Sequence, residues 1–171
     1  MSDPKVIFTT QLGSIDDTIA FAEALGEELR PGDLVLLEGD LGVGKTTFVQ
    51  GLARGMGLAS AVKSPTYTLV HEYRGIGRPG LGHVDLYRLP EGKDLSDLGL
   101  DDLLARGPVA VEWGARLFVP GADALLVRMR GPDPDSGPEW RELTLEGRGE
   151  RGDELAAFGA AWLMTNPPPD A

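Results

Sequence analysis

The sequence predicts an α/β fold built on a mixed sheet. Three observations predict it. A short apolar run, Asp33–Gly39, is followed by a glycine-rich loop and then by helical spacing at Phe48, Leu52 and Met56. A second apolar run, PVAVEW (Pro108–Trp113), has the composition of a strand buried on both faces. Two pairs of strand-like runs flank turn-rich segments, which predicts antiparallel hairpins beside the parallel strands.

The elements follow in order. KVIFTT (Lys5–Thr10) reads as a short strand. Ser14 then caps a helix, with Asp17 as its capping-box partner and Ile15, Ile19, Ala22, Leu25 and Leu29 at helical spacing. Pro31-Gly32 ends that helix, and Gly55 and Gly57 end the next one. TLVHEY (Thr68–Tyr73) and HVDLYRL (His83–Leu89) are strand-like and enclose RGIGRPGLG, a run of turn formers. DLSDLGLDDLLA (Asp94–Ala105) reads as a short helix interrupted by Gly99. ALLVRMR and WRELTLEG enclose GPDPDSGP and predict the second hairpin. ELAAFGAAWLM (Glu154–Met164) is a closing helix, so residues 1–164 form one domain and TNPPPDA, residues 165–171, a disordered tail.

Composition narrows the function. The chain has 171 residues, 42% of them hydrophobic, enough to bury a proper core. It has no apolar run long enough to span a membrane and no N-terminal secretory pattern. It has no cysteine, which excludes disulfides and thiolate metal sites and fits a reducing, cytosolic setting. Acidic residues number 27 against 16 basic ones, a net charge of −11, so direct binding to a phosphate backbone is disfavoured. If nucleic acid is the ultimate target, another protein holds it.

The chemistry lies in the glycine-rich loop. Gly39, Gly44, Lys45 and Thr46 stand at the spacing G-x-x-x-x-G-K-[ST], the P-loop signature. A loop that wraps phosphates must bring backbone N–H groups close to the anion and take dihedrals that a Cβ forbids. Gly42 and Gly44 give that freedom, and the following helix offers its unpaired N-terminal N–H groups. The loop from Asp40 through Leu41, Gly42, Val43, Gly44, Lys45 and Thr46 to Thr47 is therefore the expected nucleotide cradle. Lys45 reaches the β- and γ-phosphates, and the Thr46 hydroxyl ligates Mg²⁺. No Asn-Lys-x-Asp guanine motif occurs, since Asn166 is the only asparagine, so the expected cofactors are ATP and Mg²⁺.

Two acids compete to serve the metal or the attacking water. Glu112 ends the better apolar run, whereas Asp85 also reads as an edge-strand carboxylate paired with Arg88. Thr66, in KSPTYTLV, suits either a nucleotide-sensing loop or a simple Ser-Pro turn, and the local pattern favours the turn.

GDLGVGKTTFVQGLARGMG, VKSPTYTLVHEY, HVDLYRL with DLSDLG, and VEW occur in this order between Leu36 and Trp113. Together they resemble the TsaE family, small P-loop ATPases of bacterial tRNA threonylcarbamoyladenosine synthesis. The resemblance implies a P-loop NTPase-like three-layer sandwich. It implies that both Asp85 and Glu112 serve the Mg-nucleotide site, with Lys45, Thr46 and Thr47 on the phosphates and Trp113 near the site. It places Thr66 in a nucleotide-responsive loop and makes Arg141 the equivalent, after a short insertion, of an arginine near the nucleotide. It further implies TsaD- and TsaB-type partners, tRNA engaged only through that complex, and slow ATP hydrolysis that resets the transferase. The rival readings are a small-molecule kinase with an acceptor pocket at the Arg74–Gly82 loop and a nucleotide-gated binding module without useful turnover.

Overall fold

β1 (Ile7–Leu12) leads through Gly13-Ser14 into α1 (Ile15–Glu28), where Ser14 Oγ accepts the Asp17 backbone N–H at 3.1 Å and donates to the Asp17 carboxylate at 2.8 Å. This is the cap that the sequence predicts. The computed structural model describes residues 7–58, 61–63, 69–89, 98–114, 123–132 and 139–168. β2 (Leu34–Glu38) runs into the glycine loop and α2 (Lys45–Gly55). β3 (Ala61–Lys63), β4 (Val70–Tyr73) and β5 (Leu81–Asp85) follow, then a 3-10 turn at Leu86–Arg88. α3 (Leu100–Arg106), β6 (Val109–Glu112), β7 (Ala124–Arg130), β8 (Arg141–Arg148) and α4 (Gly149–Thr165) complete the described elements.

The strands form one eight-stranded sheet in the order β1-β8-β7-β2-β6-β5-β4-β3. β2 pairs in parallel with β6 and β7, and β5 in parallel with β6. The β4–β5 and β7–β8 hairpins are antiparallel, as expected, and β1 and β3 close the two edges in antiparallel pairing.

Alternation along the strands sets the layers. Val35 and Leu37 of β2, Ala110 of β6, and Leu125 and Val127 of β7 pack in one core with Phe21 and Leu25 of α1, Phe48 and Leu52 of α2, and Leu155 of α4. Leu34 and Leu36, Val84, Val109, Val111 and Leu126 pack on the other face with Leu103 of α3. The result is the expected three-layer α/β sandwich. Among the described residues, no helix is long and apolar enough to cross a membrane.

Four sequence expectations change, the first being that α4 spans Gly149–Thr165 and so begins before Glu154 and takes in Thr165 of the expected tail. The strand read at His83–Leu89 begins earlier, at Leu81, and ends at Asp85, whose carboxylate accepts the Tyr87 N–H at 3.0 Å and turns the chain into the 3-10 segment. Ile15 is exposed, because the buried stripe of α1 runs through Thr18, Phe21, Ala22 and Leu25 instead. The sequence also gave no warning of β3, a three-residue edge strand. Thr66, the GPDPDSGP turn over 133–138, the 94–97 part of the expected helix and the end of the tail past Pro168 lie outside the described residues.

Candidate active site

The end of β2, the start of α2 and the ends of β5 and β6 meet at the carboxyl ends of the parallel strands. Parallel register makes this so: Leu37 pairs with Glu112, and Asp85 pairs with Glu112 on the other side. The two acids therefore stand at the same height on adjacent strands. Both follow the alternation that puts Ala110 on the α2 face.

The loop has the backbone that its glycines permit. Gly39, Gly42 and Gly44 all have positive φ, at 153°, 77° and 113°. Gly39 is required sterically as well, since a Cβ there would meet the Met129 carbonyl oxygen at 2.5 Å. At Gly42 a Cβ would meet nothing within 4 Å, so the loop is open on that side. The amides of the first turn of α2 have no acceptor inside the helix, and the first intrahelical bond runs from Phe48 N–H to Gly44 C=O at 2.9 Å.

Lys45 is buried inside the loop it follows. Its ammonium donates to the Gly39 and Asp40 carbonyls and lies 4.4 Å from the centre of the Trp113 ring. Burial lowers its pKa, partly offset by the charges of Glu112, Asp85, Glu38 and Asp40. Trp113 stacks on Tyr87 at 5.3 Å. Trp113 is the one non-glycine residue with positive φ among those described, at 62°, and its N–H donates to Leu37 C=O at 2.8 Å. A tryptophan held in that conformation stores about 1–2 kcal/mol of backbone strain.

Glu112 is 3% exposed. Its Oε1 accepts the Thr46 hydroxyl at 2.7 Å and lies 3.6 Å from His83 Nε2. Burial opposes its ionisation, but the His83 imidazole, the Thr46 donor and the Lys45 ammonium outweigh burial, so the carboxyl titrates below the ordinary glutamate range. Asp85 is half-buried, and its charge reaches Lys45. Its expected pairing with Arg88 falls on a side chain outside those described. Arg141 reaches across from β8 and donates through Nε to the Val43 carbonyl at 2.6 Å, bracing the loop. Asp40, Leu41 and Gly42 are exposed on the rim, and Thr47 is partly buried behind Thr46.

A threonine hydroxyl and two carboxylates form an all-oxygen donor set that suits a hard cation carrying waters and phosphate oxygens. Thr46, Asp85 and Glu112 fit Mg²⁺ in this chemical sense. Reading the sequence missed His83 and Tyr87 as neighbours of the site. The spacing H-x-D held the signal for His83, because alternate residues of a strand share a face.

A separate cleft is lined by Glu72, Tyr73, Arg74, Gly80, Gly82 and Arg106. It opens at the beginning of β5, whereas Asp85 ends that strand. The intervening rise is about 13 Å.

The model of the family described as threonylcarbamoyl adenosine biosynthesis protein TsaE matches residues 12–135. The chain is 42% identical over 130 residues to the tRNA threonylcarbamoyladenosine biosynthesis protein TsaE of Streptomyces coelicolor, spanning 74% of this chain and 88% of that one. It is 37% identical over 139 residues to the Bacillus subtilis protein of the same name, spanning 80% and 83% of the two chains. The crystal structure of Bacillus subtilis YdiB superposes with a TM-score of 0.72 at 29% identity, covering 92% of this chain and 96% of that one. The chain belongs to the TsaE family, whose members take part in tRNA threonylcarbamoyladenosine biosynthesis.

Proposed function

We propose that the chain is a Mg²⁺-dependent ATPase of the cytosol whose turnover resets a TsaD–TsaB-type transferase acting on tRNA. The observation that carries the ATPase reading is the convergence of Lys45, Thr46 and Glu112 on a loop whose glycines hold positive φ.

Each residue has a role in this reading. Loop amides and the Lys45 ammonium bind the β- and γ-phosphate oxygens, and Lys45 exchanges its carbonyl partners for them. Thr46, Asp85 and Glu112 would hold Mg²⁺, which when bound neutralises charge between those phosphates. Glu112 or Asp85 accepts the proton of the attacking water as the bond between the γ-phosphorus and the bridging oxygen breaks, leaving ADP and phosphate. Thr47, Trp113 and Arg141 shape the nucleotide's surroundings, and Thr66 belongs to the loop expected to respond to it. With a net charge of −11, the chain engages proteins, and the partner complex holds the tRNA.

A kinase using the Arg74–Gly82 cleft is disfavoured. In-line transfer needs reacting atoms about 3–3.5 Å apart, and that cleft opens at the other end of β5. Calorimetry with Mg-ATP and phosphate release with and without TsaD and TsaB test the proposal. Binding, slow intrinsic turnover and acceleration by the partners are expected, with binding and turnover lost in Lys45→Ala. Absence of nucleotide binding refutes the ATPase reading. Fast turnover indifferent to the partners refutes the resetting role, and a single-turnover experiment without phosphate release leaves only a nucleotide-gated module.

A further inference from the structure

So far His83 enters only as a neighbour that favours Glu112 ionisation, yet its position is unusual. Its side chain lies under the sheet edge, 6% exposed, and its Nε2 is fully buried with no hydrogen-bond partner among the described residues. A buried ring nitrogen left without a partner is costly, because it has lost its bond to water. The nearest acceptor is Glu112 Oε1, at 3.6 Å, beyond hydrogen-bond reach. That same oxygen already accepts the Thr46 hydroxyl at 2.7 Å.

The backbone explains why the imidazole points there. His83 pairs with Ala110 across the parallel β5–β6 ladder and with His71 across the antiparallel β4–β5 ladder. Alternation puts His83 and Asp85 on the α2 face with Glu112. The His71 ring packs against it at 5.8 Å between centroids and restrains its orientation.

We propose that His83 is a positioning residue for Glu112: its Nε2–H closes onto Oε1 when nucleotide binds, so that Thr46 and His83 together pin that oxygen and leave Oε2 to face the Mg²⁺ site and the attacking water. This deepens the ATPase reading and rests on it. A carboxylate oxygen has two lone-pair directions, so Oε1 can accept both donors at once. A closing of about 0.7 Å brings His83 to ordinary hydrogen-bond distance, and such bonds are commonly long before substrate binds. Nε2 donates in the imidazolium and in the Nε2–H tautomer of the neutral ring, the form that an acceptor at Oε1 favours.

The test compares two variants of the full chain. His83→Phe keeps a ring in the pocket and removes the donor. His83→Gln can place an amide N–H where Nε2 stood. For His83→Phe, kcat falls about 10-fold or more while KM for ATP stays within about twofold. His83→Gln recovers most of kcat. A purely structural histidine leaves kcat unchanged in both variants.

A second readout is independent of turnover. The chain has two histidines, His71 and His83, so ¹⁵N spectra of the rings are assigned with a single variant. Mg-ADP is expected to shift the His83 Nε2–H resonance downfield and slow its exchange with water. An unmoved resonance, or a His83→Gln variant as slow as His83→Phe, overturns the positioning role. Calorimetry on the natural chain and turnover of Glu112→Gln separate the two failures. If the natural chain binds and hydrolyses ATP, Glu112→Gln is inactive and His83→Phe is fully active, only the positioning role falls. If the natural chain binds no nucleotide, the ATPase reading falls with it.

Discussion

Arg151 and Asp33 form the ion pair whose removal has the clearest consequence. Asp33 precedes β2 and is 3% exposed. Arg151, in the first turn of α4, donates to it through Nε and an Nη, both at 2.9 Å. The guanidinium also donates to Glu28 C=O at 2.8 Å and to Glu154 at 3.0 Å. The Asp33 bonds raise its pKa further above the already high arginine range. In Arg151→Met the stem is kept and the fork is lost. Asp33 then retains the Arg30 backbone N–H, at 2.9 Å, as its remaining described donor. Breaking a buried pair from one side costs about 3–5 kcal/mol. Because the Arg151 side chain is 20% exposed, the lower end, about 3 kcal/mol, applies. For a domain of this size that lowers the melting temperature by about 6–12 °C. Thermal unfolding by circular dichroism measures it. The double variant Asp33→Leu with Arg151→Met leaves no stranded charge and recovers most of the loss. Nucleotide affinity stays unchanged, because the pair lies at the start of β2 and the P-loop at its end. A fall of less than about 1 kcal/mol in Arg151→Met would refute the claim that the pair clamps α4 to the turn before β2.

Three further outcomes are expected. The lowered Glu112 pKa means that this carboxylate contributes stability above the ordinary value of 4.5 and that the contribution is lost as pH falls through the folded-state value, so Glu112→Gln should flatten the stability profile below about pH 4.5. A variant as acid-sensitive as the natural chain contradicts that sign. Gly55→Ala places a Cβ 1.9 Å from the Glu23 carbonyl oxygen, so a substitution that usually favours a helix should instead destabilise by about 1–3 kcal/mol in urea titration, as α1 and α2 are forced apart. Trp113 lies 4.4 Å from the Lys45 ammonium, so Mg-ATP should change tryptophan emission in a Trp140→Phe/Trp162→Phe background and should leave it unchanged once Lys45 is alanine.

The sequence by itself determined the loop, the helix behind it and most of the layers. These are local properties: positive φ favours glycine at Gly42 and Gly44, Ser14 and Asp17 cap a helix within one turn, and a short apolar run such as Val109–Glu112, bounded by Gly107-Pro108, reads as a strand covered on both faces. Spacing left Asp85 and Glu112 as alternatives and the family resemblance implied both, but only the tertiary structure set them at one height on adjacent strands. Their strands are distant in the chain and become neighbours through parallel register, which no spacing within either strand encodes. The same pairing brought His83 beside Glu112, and the bond of the Trp113 N–H to the β2 carbonyl of Leu37 holds Trp113 beside Lys45. β3 stayed hidden because three residues are too few to show alternation, and its pairing with β4 is what makes it a strand. Periodicity is written along the chain, whereas register is settled between chain segments when the sheet assembles.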